Sequence, residues 1–136
     1  MVPRKNPFYR LKIKTAKRAV SATIVLILVL TVLEFPAPIG FETRPQTGVS
    51  KLWLLLFLAI LVSESVAMIQ VFKRPRTGAH LAIFAAILNL LQIVADLTHM
   101  MQPESAPWNY VALELSVGSL AIALIYFSRA VLRGSP

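Results

Sequence analysis

Four polar side chains that could do chemistry recur along one stretch of this sequence, residues 89–104. Asn89, Gln92, Asp96 and His99 follow one another at steps of three, four and three residues. At 3.6 residues per turn, this spacing places all four on one face of a helix. The other positions are mostly apolar, so we predict a helix with one polar face.

Three carboxyl groups lie inside long apolar stretches, namely Glu64, Asp96 and Glu114, and no Lys or Arg lies at their depth. An unpaired carboxylate in hydrocarbon costs at least several kcal/mol, so each group must avoid that state. The carboxyl is protonated, or it binds a cation or metal, or it pairs with a basic group, pigment, lipid or neighbouring subunit. The sequence does not choose among these three solutions.

A metal ion at the outer face is one of those solutions. Asp96 and His99 lie one helical turn apart, and hairpin geometry places Glu114 opposite Asp96. Together with Glu34, these three ligand types suit zinc, iron or manganese, whereas with the thioethers of the adjacent methionines they suit copper. The alternative is that Asp96 and His99 hydrogen-bond each other and cap the outer loop. A haem held by two histidines of this chain is excluded, because His80 and His99 lie about 28 Å apart along one helix. The sequence assigns no other cofactor.

Deeper polar groups extend this site toward the middle of the membrane. If the second and third apolar segments turn near Arg76, Glu64 lies level with Asn89. The residues that could form a polar path are Glu64, Asn89, Gln92, Asp96 and Glu114. Intramembrane carboxyls of this kind relay protons or cations, or they hold helices together through hydrogen bonds.

Four apolar segments must position these groups, at about residues 19–35, 51–72, 79–101 and 108–132. A membrane-spanning helix needs roughly 20 apolar residues. Of the 136 residues 57% are hydrophobic, more than a soluble domain of this size can bury. We therefore predict an all-α, polytopic membrane protein with a four-transmembrane-helix bundle at 19–132, a basic cytoplasmic tail at 1–18 and a C-terminal tail at 133–136.

Positive charge is concentrated on one side of these segments. Apart from Arg44 and Lys51, every Lys and Arg precedes the first segment, joins the second to the third, or lies at or beyond the end of the fourth. This pattern predicts that both termini are cytoplasmic, in a multi-pass protein of a prokaryotic cytoplasmic membrane. The N-terminal residues predicted to contact anionic lipid headgroups are Arg4, Lys5, Arg10, Lys12, Lys14, Lys17 and Arg18. Nucleic-acid binding is not predicted, since no folded soluble module accompanies the charge.

The signatures of common enzyme classes are absent from the sequence. There is no cysteine, and no Walker, GxGxxG, HExxH or GxSxG pattern. We therefore favour a non-catalytic structural or accessory subunit of a larger membrane complex, associated with other membrane subunits or with copies of itself. One alternative is a small proton- or cation-coupled transporter or channel that uses the intramembrane carboxyls. Another is a metal-binding membrane protein or enzyme with the outer-face site at Asp96, His99 and Glu114.

Overall fold

Four α-helices form the part of the chain that the computed structural model describes, residues 12–33, 51–97 and 108–135. They are α1 (Ile13–Leu33), α2 (Lys51–Lys73), α3 (Pro75–Leu97) and α4 (Trp108–Gly134), and these ranges contain no strand. Each helix is long and apolar enough to cross a membrane. The prediction of an all-helical chain with four potential spans is confirmed.

Two helices begin before the apolar segments that the sequence marks. α1 begins at Ile13, so part of the predicted basic tail is helical, and α3 begins at Pro75. Proline is well placed in the first turn of a helix, where its missing N–H would have no intrahelical partner. Arg74 alone separates α2 from α3, and the N–H of Arg74 donates to the carbonyl of Gln70 over 2.7 Å. The connection is therefore much shorter than residues 73–78, the interval between the second and third apolar segments of the sequence.

The helices form a ring in which each packs against its neighbours along the chain, and α4 packs back against α1. α1 also touches α3 across the ring, and the α1–α2 contact is the least extensive of the four adjacent ones. The start of α1, the end of α2, the start of α3 and the end of α4 lie together at what we call the basic end. Nine basic residues lie there: Lys12, Lys14, Lys17, Arg18, Lys73, Arg74, Arg76, Arg129 and Arg133.

Inward-facing positions recur at alternating steps of three and four residues, the spacing of helices that pack along a narrow seam. On α2 the buried positions are Phe57, Ile60, Glu64, Ala67 and Val71. On α4 they are Glu114, Val117, Ala121, Leu124, Ser128 and Val131. Exposed Val, Leu, Ile and Phe side chains cover much of the outside, as expected for helices that face lipid. Glu64 and Glu114 therefore occupy core positions where an apolar residue would otherwise be expected.

Candidate functional site

Glu64 is one of two fully buried carboxyl groups among the described side chains. It lies between Ile60 and Ala67 on the inner face of α2, and its side chain is 0% exposed. The helix around it consists mainly of Leu, Val, Ile and Ala, which fold as a helix in a membrane because all backbone hydrogen bonds close within the segment. The apolar run thus carries a carboxyl group into the bundle interior.

Asn89 of α3 holds Glu64 in place. The Asn89 side-chain amide (Nδ2) donates to Glu64 Oε1 over 2.7 Å and to the carbonyl of Ala85 over 3.2 Å. Asn89 is itself buried. Glu64 Oε2 is also buried, and it has no hydrogen-bond partner among the residues that the structure describes. The amide therefore joins α2 to α3, and the second carboxyl oxygen makes no hydrogen bond to the described residues.

A second polar layer lies nearer the end of the bundle opposite the basic end. Gln92, one turn beyond Asn89, is buried on α3, and Glu114 is buried on α4. Gly118 lies level with Ile93, because a Cβ added to Gly118 would be 3.4 Å from Ile93 Cδ1. Counting four residues from each, Asn89 and Glu114 are separated by about 12 Å along the bundle axis. By the same count, Gln92 lies between Asn89 and Glu114 along that axis.

The structure describes only some of the residues of the predicted polar path and metal site. Asp96 belongs to α3, but its side chain, like the whole of His99, lies outside the described part of the chain. Among the described residues, no group of three or more His, Cys, Asp or Glu side chains could hold a metal. Ion movement along this path and metal binding at Asp96, His99 and Glu114 both stay predictions.

Several hydroxyl groups near these layers are satisfied within their own helices. Thr23 donates to the Ala19 carbonyl over 2.7 Å, and Thr31 donates to the Ile27 carbonyl over 2.6 Å. Such bonds to the preceding turn remove the cost of placing a hydroxyl in an apolar interior. The buried hydroxyl of Thr23 therefore has a partner within α1.

No family model, curated protein or solved structure matches this chain. The function must therefore be argued from its residues and their geometry.

The predicted lipid-contacting residues fall into two groups. Arg4, Lys5 and Arg10 lie outside the described ranges. Lys12 precedes α1, and Lys14, Lys17 and Arg18 belong to the first turns of α1. The last three line a groove of about 490 Å³ at the basic end, together with Ile13 and with Phe72 of α2. The sequence locates the positive charge but not the groove, because nothing in it indicates that Phe72 lies beside α1.

Ser128 is a buried polar residue that is not among the residues predicted from the sequence. It is 0% exposed on α4, and its hydroxyl has no hydrogen-bond partner among the described residues. Extending the three-and-four spacing from Glu114 through Ala121 would have predicted its burial. Ser128 thus adds a hydroxyl to the inner face near the basic end.

Proposed function

We propose that this chain is a non-catalytic structural or accessory subunit of a larger membrane complex, and that it attaches to a transmembrane helix of a partner through α4. The proposal rests chiefly on the outer face of α4. A stripe of small side chains follows one side of that face; Tyr126 interrupts it, and Leu115 and Ile122 are exposed beside it. Its members are Ala112, Ser116, Ser119, Ala123 and Ala130.

The two serines of the stripe have their hydroxyl groups turned back onto α4. Ser116 Oγ donates to the Ala112 carbonyl over 2.8 Å, and Ser119 Oγ donates to the Leu115 carbonyl over 2.9 Å. Both serines are exposed in this chain. In a membrane, association between helices depends on close packing, and small residues let two backbones approach. The stripe offers such a surface without an unsatisfied hydroxyl.

The outer face of α3 is built differently. Phe84, Ile87, Leu91 and Val94 recur there at steps of three and four residues, and all are exposed. Bulky apolar side chains of this kind suit contact with lipid tails, which are as apolar as the side chains themselves. The difference between α3 and α4 supports a partner on the α4 side and lipid on the α3 side.

We further propose that the basic end faces the cytoplasm of a prokaryotic cell. The basic residues at the ends of α1, α2, α3 and α4 support this orientation through the excess of Lys and Arg in cytoplasmic loops. The partner would then meet α4 within the cytoplasmic membrane.

Replacing Ser119 with leucine tests the attachment. The tagged full-length protein is extracted from its own membranes in mild detergent, and the co-purifying chains are identified and quantified by mass spectrometry. We expect wild type to retain other membrane proteins in fixed proportion. Ser119→Leu should reduce that retention about tenfold, because overpacking a close helix contact costs roughly 1–3 kcal/mol.

Ser65→Leu is the matched control. Ser65 is also exposed, and its hydroxyl donates to the Leu61 carbonyl over 2.7 Å, but it lies on α2. We expect Ser65→Leu to retain the same companions as wild type. The proposal is wrong if wild type purifies alone or only with copies of itself, or if Ser119→Leu keeps its companions.

A further inference from the structure

We propose that the groove between α1 and α2 at the basic end is a binding site for the headgroup of an anionic phospholipid. The groove, of about 490 Å³, is lined by Ile13, Lys14, Lys17 and Arg18 of α1 and by Phe72 of α2. This is a site at a defined place in the fold. It differs from a general attraction between a basic protein end and a charged membrane.

The groove exists because α1 and α2 pack less extensively than the other adjacent helices. Near the basic end, the side chain of Phe72 is not covered by α1 and is 52% exposed. The long side chains of α1 stand on the opposite wall. An opening between two helices at the edge of a membrane can accept one lipid molecule from the side.

Three cationic side chains converge on this opening. Lys14, Lys17 and Arg18 are related by three and four residues, so they lie on one face of α1. The sequence has no Asp or Glu in residues 1–33, 65–95 or 115–136, the stretches that meet at this end. Three like charges this close repel one another, and a bound anion would relieve that repulsion.

The apolar walls select a lipid over a free anion. Ile13 and Phe72 stand beside the cationic groups, and the apolar body of α1 continues directly from them. A phosphodiester headgroup can contact the Lys and Arg side chains while its acyl chains lie against Phe72 and the adjoining helix surface. Basic pockets between transmembrane helices bind anionic headgroups through this combination of charge and apolar contact.

Native mass spectrometry of the full-length protein tests the site. The protein is reconstituted in nanodiscs that contain phosphatidylglycerol and phosphatidylcholine, released, and scored for lipids that remain bound. We expect one phosphatidylglycerol to be retained by wild type. The triple change Lys14→Gln, Lys17→Gln and Arg18→Gln should lower that retained fraction at least about tenfold.

A second triple variant removes the same charge outside the groove, at Lys73→Gln, Arg76→Gln and Arg129→Gln. All three of these side chains are exposed at the same end. We expect its retention to stay within about twofold of wild type, because the groove is intact. Equal losses in the two triple variants would overturn the proposal, since only diffuse attraction would then be at work.

Two further arms separate a lipid from a free phosphate and guard against misfolding. Inorganic phosphate at millimolar concentration should leave the lipid bound, whereas displacement by phosphate would overturn a lipid site. Phe72→Ala should lower retention of the diacyl lipid without changing any of the charges. Lys14→Gln alone changes one exposed side chain, so this variant should fold normally. It should still lower lipid retention about threefold. If Lys14→Gln and a folded triple variant both retain lipid as wild type does, the proposal is overturned.

Discussion

α2 meets its two neighbours along the chain in very different ways. Against α3, α2 packs closely at the basic end, and deeper in the bundle Asn89 donates a hydrogen bond to Glu64. Against α1 it makes the least extensive of the adjacent contacts and leaves the basic groove beside Phe72. Both sides of α2 are built from apolar residues, so hydrophobicity does not explain the difference. The difference is explained by the small residue Gly78, the buried Glu64–Asn89 pair and the lengths of the two connections.

The connections differ as much as the contacts. One residue, Arg74, separates α2 from α3, whereas seventeen residues, 34–50, lie between α1 and α2. A short connection forces two helices into antiparallel contact at that end. A long one lets the other helices decide how far apart the two stand. The close α2–α3 contact is therefore set by the short connection between them. The looser α1–α2 contact is set by how both helices pack against the rest of the bundle.

Gly78→Ala is expected to have the largest effect on stability. A Cβ at position 78 would overlap the backbone N and Cα of Val71, which cannot move aside without shifting α2. We expect a loss of about 3 kcal/mol in the free energy of unfolding, since overpacking a close contact costs up to roughly that amount. This free energy is measured by unfolding the protein in mixtures of mild detergent and SDS while circular dichroism monitors the helix content.

Gly118→Ala is the matched control for that change. A Cβ at position 118 would meet only Ile93 Cδ1, at the ordinary contact distance of 3.4 Å. We expect the free energy of unfolding to change by less than about 1 kcal/mol, because alanine also favours the helix. Similar losses for the two alanine variants would show that the α2–α3 seam is no tighter than the α3–α4 seam.

The Glu64–Asn89 pair is expected to have an intermediate effect. Glu64→Leu leaves a buried amide without its carboxyl partner, so we expect a loss of about 1–2 kcal/mol in the free energy of unfolding. The double change Glu64→Leu and Asn89→Leu should recover most of that loss, since neither partner is then left unpaired. A double-mutant cycle in the same unfolding assay should give a coupling of about 1 kcal/mol. Additive effects would mean that this bond does not hold the seam.

The α2–α3 seam can be predicted from the amino-acid sequence further than the α1–α2 seam. A short hairpin converts position along the chain into depth, so residue numbers alone place Glu64 level with Asn89. Residue numbers do not predict that Phe72 lies near Lys17, because their proximity depends on how all four helices are arranged around one another. The start of α3 at Pro75 differs from the predicted turn, because proline is typical of turns and also fits the first position of a helix.

The spacing of apolar residues explains why inner positions are easier to predict than outer ones. On α4 the alternation of three and four residues from Glu114 to Val131 marks the inner face, because every bundle needs one. The outer face of α4 carries a stripe of small residues beside bulky ones and that of α3 bulky ones alone, yet both are apolar enough for a membrane. The same spacing separates Ser128, which is buried, from Ser119, which is exposed, but it does not indicate what packs against the exposed side.

Alanine substitutions at adjacent residues 71 and 72 are expected to give the sharpest contrast between the two sides of α2, with Phe72→Ala the smallest effect of all. Val71 is 0% exposed against α3, and Phe72 is 52% exposed in the groove. Val71→Ala should lower the free energy of unfolding by about 1.5 kcal/mol through lost packing. Phe72→Ala removes a larger side chain but should change it by less than about 0.5 kcal/mol, because little of the bundle rests on it.

The same unfolding assay, run in neutral detergent without anionic lipid, separates these two changes. If Phe72→Ala costs as much as Val71→Ala there, Phe72 is part of the packed core and the α1–α2 seam is closed rather than open. If the cost of Phe72→Ala appears only when phosphatidylglycerol is added, the side chain acts through bound lipid. A ligand that binds only the folded state stabilises it in proportion to its affinity, so the added stability would measure occupancy of the groove.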